Sequence, residues 1–284
     1  MSAEPLLRVR LSGGYSGSVV FRDLAFELQP GEVLGLVGSS GAGKSTLVLS
    51  LVGLLPWRGG QVSGEVLLAG RNLLALSGKD LRQIRGRSVA LVPQSPMTAL
   101  NAAISLQSHF REAWKAHEKR GRQAMLERVR ELLAEVQLPC DEAFLRRRPP
   151  QISVGQAQRV LIALALLHGP SLIIADEPTS ALDPVTQTQI VDLLRDLNRR
   201  RGTTLLYISH DLISVIRLCD RIAVLDGGTI VESLPVTEIG RASHPASRAL
   251  LQALPVAPEA LLRFRDTAMR NAEASCELAG ELLR

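Results

Sequence analysis

Hydrophobic and polar positions alternate through roughly the first thirty residues. LLRVRLSG and SVVFRDLAFEL alternate in this way between glycine-rich turns, which predicts antiparallel strands with one buried face. EVLGLV at 32–37 is instead an unbroken apolar run, typical of a strand buried on both faces. GEVLLAG and SVALV predict two further short strands. The first third of the chain is therefore expected to be rich in strands.

Unbroken apolar runs return in the second half of the chain. They are SLIIAD at 171–176, TTLLYIS at 203–209 and IAVL at 222–225, and the segments VTQTQIVDLLRDLNRR and LISVIRLC between them have a helical pattern. Strands that alternate with helices predict a parallel sheet. DGG at 226–228 then predicts a hairpin into TIVES.

A different pattern separates the two strand-rich regions. HFREAWKAHEKRGRQAMLERVRELLAEV is charged, amphipathic and free of proline, which predicts a helical insertion; we place this subdomain at about 95–165. After residue 235 the chain contains several prolines and the stretch PEALLRFRDTAMRNAEASCELAGELLR, which we predict to be helical. We therefore expect one domain over 1–235 and a separate tail over 236–284.

Composition narrows the cellular setting. The 284 residues are 46% hydrophobic and 21% charged, which is typical of a globular protein. The longest apolar run, VLIALALL, is well short of the ~18 residues that span a bilayer, and the N-terminus lacks the apolar core of a signal peptide. Three widely spaced cysteines, Cys140, Cys219 and Cys276, fit neither a disulfide framework nor a zinc site. We expect a reducing, cytosolic environment.

The net charge of +5 includes two runs of three arginines, at 146–148 and 199–201. Neither run contains aromatic residues that would stack on bases, so solvated helix ends are favoured over nucleic-acid binding.

GSSGAGKST at 38–46 fits the pattern G-x-x-x-x-G-K-[ST] and lies between a buried strand and a helix. Such a loop directs backbone N–H groups at phosphate oxygens, while the lysine reaches the β- and γ-phosphates and the serine hydroxyl binds Mg²⁺. The sequence thus predicts an α/β P-loop NTPase with a RecA-like parallel-sheet core, an antiparallel β layer, a helical subdomain and a C-terminal tail. The predicted residues of the nucleoside triphosphate site, which the resemblance described below makes an ATP site, are Gly38, Ser39, Ser40, Gly41, Ala42, Gly43, Lys44, Ser45 and Thr46.

Two acids end the strand SLIIADEP. Asp176 lies where open α/β sheets bind ligands and is suited to hold Mg²⁺, and Glu177 is a candidate general base for an attacking water. His210 and Gln94 also follow apolar strands. Taken alone, a histidine such as His210 more often makes a structural hydrogen bond than acts in catalysis. Taken alone, Gln94 is only a polar loop residue. Because four strand ends should meet at one edge, we include both in the candidate site.

The segment QISVGQAQRV predicts the start of a helix. Ser153 and Gln156 have capping-box spacing, and Gly169 with Pro170 provides the stop signal. A capped helix start with a glycine, Gly155, is also suited to bind an anion. In a head-to-tail pair, this helix would point at the γ-phosphate held by the partner.

Six motifs in this order resemble the nucleotide-binding subunit of ABC transporters over about residues 5–235. They are the phosphate loop, Gln94, ISVGQAQR, SLIIADEP, SALD at 180–183 and His210. The resemblance implies two subunits that close on two ATP molecules with Mg²⁺ held by Ser45, Gln94 and Asp176. It also implies that Ser153, Val154, Gly155 and Gln156 form a signature acting in trans, that Asp183 crosses the dimer contact, and that His210 orients water around Glu177. Tyr15 lies about where the family stacks an aromatic on adenine, although an ordinary strand or loop tyrosine is the alternative.

Two segments resemble a narrower group, the ATPases of dipeptide, oligopeptide and nickel importers. They are PQSPMTALN and HPASRALLQALP at 244–255, where ASR replaces the usual tyrosine-threonine-arginine. The resemblance implies three kinds of partner. They are two transmembrane permease subunits, a second ATPase of the same or a homologous chain, and, without direct contact, an extracytoplasmic solute-binding protein. It places the chain peripherally on the cytoplasmic face of the inner membrane, without a nucleic-acid partner. Cys276 alone does not support the iron–sulfur site of some relatives.

Val154 departs from the family, which usually has glycine there in LSGGQ. A β-branched residue disfavours positive φ, so we predict a negative φ at Val154. We hypothesise that the composite site completed by this helix closes on ATP but hydrolyses it more slowly than a site completed by an intact LSGGQ.

Three alternatives remain open from the sequence. They are a soluble ABC-type ATPase acting on nucleic acid or ribosomes, a P-loop kinase or GTPase, and an exporter subunit. The solute and the choice between a homodimer and a heterodimer also stay open.

Overall fold

The structure is a computed structural model that describes residues 4–39, 41–255, 257 and 260–262. The strands are β1 Leu7–Tyr15, β2 Ser18–Leu28, β3 Val33–Gly38, β4 Gly60–Leu68, β5 Arg71–Asn72, β6 Val89–Val92, β7 Leu172–Asp176, β8 Thr204–Ile208, β9 Arg221–Asp226 and β10 Thr229–Pro235. The α-helices are α1 Lys44–Leu51, α2 Gly78–Ile84, α3 Pro96–Ala99, α4 Leu106–Lys115, α5 Arg122–Glu135, α6 Glu142–Arg146, α7 Val154–Ala165, α8 Pro184–Arg201, α9 Leu212–Leu218 and α10 Pro245–Gln252.

A six-stranded sheet forms the centre of the molecule, in the order β10-β9-β3-β8-β7-β6. The pairs β3–β8, β3–β9, β7–β8 and β6–β7 are parallel, and β10 closes one edge as an antiparallel hairpin with β9. Every residue of β3 is buried, as its unbroken apolar run predicts. The parallel sheet and the hairpin after DGG are confirmed, and the parallel strands present their carboxyl ends along one edge.

A second, antiparallel sheet has the order β2-β1-β4-β5. Leu7 pairs with Leu28 and Val9 with Phe26, and these four side chains are buried. The alternation of polar and apolar residues therefore directs one face into the core, as predicted.

Between Pro96 and Ala165 the α-helices are α3 to α7. The long amphipathic stretch is helical, as predicted, and forms two helices, α4 and α5. The break falls at 116–121, where the buried Trp114 donates its Nε1–H to the carbonyl of Arg120 at 3.0 Å. This hydrogen bond and Gly121, which precedes α5 in an extended conformation, mark the turn between the two helices.

The first part of the tail packs on the core. Val236 and Ile239 are buried in the same hydrophobic cluster as the central sheet. The Glu232 carboxylate in β10 accepts hydrogen bonds from the N–H and hydroxyl of Ser243 at 2.8 and 3.0 Å, just before α10 begins. The helix predicted over 258–284 lies outside the described residues except for 260–262, as does Cys276, and the division at 235/236 stays a prediction.

The two arginine runs lie at helix ends. Arg146 is in the last turn of α6 and Arg199, Arg200 and Arg201 are in the last turn of α8, as predicted. Across the part of the chain that the structure describes, no helix combines the length and the apolar character needed to cross a bilayer.

Candidate functional site

The phosphate-binding loop connects β3 to α1. Gly43 precedes α1 with φ of 94°, a left-handed conformation that glycine adopts without steric penalty. A Cβ atom at this position would lie 2.5 Å from Cγ1 of Val20, so the antiparallel layer also requires glycine. Ser40 lies outside the described residues.

Lys44 is the first residue of α1 and is only 7% exposed. Its Nζ donates hydrogen bonds to the carbonyls of Gly38 at 2.8 Å and Ser39 at 3.0 Å. A buried ammonium without acceptors is costly, and the loop carbonyls satisfy two of its three N–H groups. The amine is therefore held at the end of β3, beside the phosphate loop.

A cavity of about 510 Å³ opens in front of this lysine. It is lined by Val20, Gly41, Gly43, Lys44, Ser45, Thr46, Gln94, Glu177 and His210. The cavity thus joins loop residues with side chains that follow β6, β7 and β8, as expected from the convergence of strand ends.

Glu177 lies at the centre of the contacts in this cavity. Its Oε2 accepts a hydrogen bond from Gln94 Nε2 at 2.9 Å. Its Oε1 lies 3.3 Å from His210 Nδ1 and 4.0 Å from Lys44 Nζ. The backbone at Glu177 has a positive φ of 45°, and its N–H donates to the carbonyl of Ile208 at 2.9 Å. The pairing of β7 with β8 therefore positions the carboxylate.

Asp176 is the last residue of β7. Burial, together with the neighbouring charge of Glu177, raises its pKa to about 6, while Lys44 opposes the shift. Its carboxylate makes no hydrogen bond to any described residue. Ser45 and Gln94 line the cavity, whereas Asp176 ends the strand next to it. Carboxylate, amide and hydroxyl oxygens are the ligands that Mg²⁺ prefers, so the chemistry of these three residues fits that ion.

The capping box at the start of α7 is present in both directions. Ser153 Oγ accepts from the N–H of Gln156 at 3.1 Å, and Gln156 Oε1 accepts from the N–H of Ser153 at 3.1 Å. The N–H groups of Val154 and Gly155 lie in the first turn, where an α-helix supplies no acceptor of its own. This end of the helix therefore offers two donors to a ligand.

Val154 begins α7 and its side chain is 38% exposed. The described non-glycine residues with positive φ are Asp23, Ala69, Gln137 and Glu177, so the negative φ predicted for Val154 is confirmed. The helix ends at Ala165, a few residues before the stop signal at Gly169 and Pro170. Residues 166–169 form a hydrogen-bonded turn that ends at Gly169, where φ is 64°.

Asp183 caps the start of α8. Its Oδ1 accepts from the N–H groups of Val185 and Thr186 at 3.1 and 3.0 Å, and its Oδ2 accepts from the Thr186 hydroxyl at 2.6 Å. The hydrogen bond from the Thr186 side chain is the main reason that the pKa of Asp183 lies below its usual range. Sequence reasoning missed Thr186, because an isolated threonine after a loop carries no signal.

Tyr15 is 39% exposed and does not line the cavity that contains Lys44. It lines a second cavity of about 530 Å³, together with Val19, whose neighbour Val20 lines the first. The structure therefore places Tyr15 in a separate depression of the surface, which adjoins the first cavity through the consecutive residues Val19 and Val20.

The glycine-rich loop and the acidic strand end of a parallel sheet define a P-loop ATPase. Residues 21–180 match the ABC transporter family, and the chain belongs to this family as an ATP-binding subunit. This membership confirms the resemblance that the motifs indicate and excludes a P-loop kinase or GTPase.

Relatives and a solved structure agree with this assignment. A probable peptide ABC transporter ATP-binding protein of Sinorhizobium fredii is 42% identical over 232 residues, which cover 81% of this chain and 69% of the relative. The oligopeptide transport ATP-binding protein OppD of Bacillus subtilis is 39% identical over 244 residues, 85% of this chain and 68% of the relative. An ATP-binding cassette solved as a dimer, in a post-hydrolysis state with ADP and Pi, matches with a TM-score of 0.70 and 26% identity, covering 81% of this chain and 98% of that chain.

Proposed function

We propose that this chain hydrolyses ATP to drive the import of a small solute through two transmembrane permease subunits. The observation that carries the proposal is the set of contacts around Glu177, whose carboxylate meets Lys44, Gln94 and His210 in one cavity. The solute class is a di- or oligopeptide, nickel or a metal chelate. The names of the relatives, which are peptide transporters, favour peptides.

The residues around the phosphate loop have defined roles in this proposal. Loop N–H groups cradle the phosphates, and Lys44 exchanges its bonds to the Gly38 and Ser39 carbonyls for phosphate oxygens. Tyr15 stacks on the adenine. Ser45, Gln94 and Asp176 hold Mg²⁺, which when bound neutralises phosphate charge.

Glu177 acts as the general base in this proposal. It accepts the proton of the water that attacks the γ-phosphate, a role worth about 10²- to 10⁴-fold in rate. Gln94 and His210, each within 3.3 Å of a carboxylate oxygen, keep the carboxylate in place and orient the water.

A second ATPase subunit, the same or a homologous chain, completes each site. Ser153, Val154, Gly155 and Gln156 of one subunit then face the γ-phosphate bound by the other, and Asp183 crosses the contact. The two free N–H groups at the start of α7 suit an anionic ligand. The similarity to a cassette that was solved as a dimer supports such pairing.

The working location is the cytoplasmic face of the inner membrane, where the chain is peripheral and contacts the permeases through its helical subdomain. A solute-binding protein outside the membrane acts on it only indirectly, and nucleic acid is not a partner. We assign the ATPase domain to 1–235, with the helical subdomain at about 95–165, and the family-specific tail to 236–284.

The hydrolysis step is tested by the ATPase rate of the purified full-length chain. Glu177→Gln should reduce the rate by about 10²- to 10⁴-fold and retain ATP binding, whereas Lys44→Met should lose binding. Glu127→Gln, on the exposed surface of α5, is the matched control and should retain the wild-type rate. A Glu177→Gln variant that hydrolyses ATP normally would mean that another group is the base.

The transport step is tested by uptake of labelled tripeptide and of ⁶³Ni²⁺ by cells whose own copy of this chain carries Glu177→Gln. Loss of peptide uptake supports the peptide assignment, and loss of nickel uptake alone would redirect it to nickel. If neither changes, import of either solute is contradicted, even though the ATPase result stands.

A further inference from the structure

Gly155 in α7 and Asp183 before α8 are contacted by the same side chain, although 28 residues separate them. A Cβ atom on Gly155 would lie 2.7 Å from Cγ2 of Thr186. The hydroxyl of Thr186 is the donor of the 2.6 Å hydrogen bond to Asp183 Oδ2. The two branches of one threonine therefore reach two different functional segments.

The branches cannot move independently. Threonine is restricted at χ1, and rotating its methyl away from Gly155 also removes the hydroxyl from Asp183. The Thr186 N–H is held as well, by the second oxygen of the same carboxylate at 3.0 Å. The cap of α8 thus fixes the rotamer that presents the methyl to α7.

We propose that Thr186 is a positioning residue that couples the Asp183 loop to the N-terminus of the signature helix, with its hydroxyl on Asp183 and its methyl on Gly155. This inference rests on the proposed function, in which both segments face the partner subunit. A displacement of Asp183 at the dimer contact then shifts the helix start that faces the partner's nucleotide. Gly155 is accordingly required inside its own subunit, as well as for its unshielded N–H.

Two exposed valines lie beside this contact, and they support the inference that both segments face the partner subunit. Val154 precedes Gly155 with a side chain 38% exposed, and Val185 precedes Thr186 with 68% exposure. Large apolar side chains that remain exposed beside a rigid contact are suited to be covered by a partner. Thr186 holds the two backbone segments that carry them together.

Two substitutions separate the branches of Thr186. Thr186→Val keeps a methyl towards Gly155 and removes the hydroxyl, and Thr186→Ser keeps the hydroxyl and removes the methyl. Amide hydrogen exchange of the full-length chain reports on 155–157 and 183–187 separately. Coupling predicts exchange at least about threefold faster in both segments for both variants.

Independent contacts predict a different result. Thr186→Ser would then loosen only 155–157, and Thr186→Val only 183–187, which would overturn the proposal. Thr237→Val and Thr237→Ser, at an exposed site in the turn before α10, are matched controls and should change neither segment.

The functional measurement is made in the Glu177→Gln background. Coupling predicts that each Thr186 variant raises the ATP concentration for half-maximal dimerisation at least about fivefold, while ATP binding by the dilute monomer is unchanged. An unchanged dimerisation midpoint with both segments loosened would make Thr186 a structural residue only. If Glu177→Gln binds ATP but never dimerises, self-pairing in the proposed function fails, and the exchange experiment alone decides the coupling.

Discussion

The Gln94 side-chain amide donates a hydrogen bond to Glu177 at 2.9 Å, joining the ends of β6 and β7 across 83 positions of the sequence. These strands are neighbours in the parallel sheet, so their carboxyl ends lie side by side. The amide therefore fixes the orientation of a carboxylate whose backbone is already in an unusual conformation, with φ of 45°. Gln94 is therefore a direct contact between the segment after β6 and the acid.

Gln94→Ala should release the Glu177 carboxylate without altering the phosphate loop. We expect kcat for ATP hydrolysis to fall about tenfold, which corresponds to ~1.4 kcal/mol of barrier, with ATP affinity nearly unchanged. Steady-state kinetics with a separate binding assay checks this. Gln123→Ala on the exposed surface of α5 is the control, and loss of ATP affinity in place of kcat would show that Gln94 acts on binding.

Asp176→Asn should stabilise the chain without nucleotide and Mg²⁺, in a pH-dependent manner. The pKa of Asp176 is raised to about 6 in the folded chain, from the ordinary aspartate value of 3.8. The folded state therefore binds more protons in this window, and the wild type loses stability as pH rises from about 4 to 6. Above that window the variant should be more stable by about 1–2 kcal/mol, and near pH 4 the two should be equal.

Urea unfolding in EDTA at pH 4 and pH 8 measures this difference. Glu112→Gln, which removes an exposed charge on α4, controls for net charge. A stability difference that is the same at both pH values would contradict the role of the desolvated carboxylate.

Gly155→Ala tests the contact with Thr186 through stability alone. Alanine normally favours a helix over glycine by about 0.5–1 kcal/mol, but here its Cβ would collide with the Thr186 methyl at 2.7 Å. We expect a net loss of about 1–2 kcal/mol in the wild-type background and a gain when Thr186 is serine. Denaturant unfolding of the wild type, the two single variants Gly155→Ala and Thr186→Ser, and the double variant gives the interaction energy of this double-mutant cycle. A value near zero would show that the two residues do not clash.

Val154→Gly should raise ATP turnover by the assembled transporter about threefold, which corresponds to ~0.6 kcal/mol of barrier. The same change should lower the free energy of unfolding by about 0.5–1 kcal/mol, because glycine is unfavourable in a helix. Val154→Ala keeps the helical preference and removes the branched side chain. Comparing it with Val154→Gly therefore separates the effect of side-chain size from the effect of backbone flexibility. Unchanged turnover of Val154→Gly would overturn the idea that valine slows this site.

Much of the architecture could be predicted because it depends on local patterns. The buried β3 run, the alternating β1 and β2, the DGG hairpin and the Ser153 capping box are each encoded within a few neighbouring residues. The meeting of Gln94, Glu177 and His210 could be predicted from the rule that parallel strands end at one edge.

The remaining features depend on packing between distant segments. The contact of Thr186 with Gly155 requires the relative placement of α7 and α8, which no local pattern encodes. The positive φ of Glu177 depends on its bond to Ile208 in the neighbouring strand. Each is a tertiary constraint that overrides local propensity.

The hydrogen bonds of Lys44 to the Gly38 and Ser39 carbonyls are relevant to the release of product after ATP hydrolysis. A buried ammonium that lost phosphate oxygens and found no other acceptor would oppose the departure of product. Here the lysine can exchange one set of oxygens for another at the same end of β3. In the proposed function, these two carbonyls therefore supply acceptors for Lys44 when the phosphate leaves.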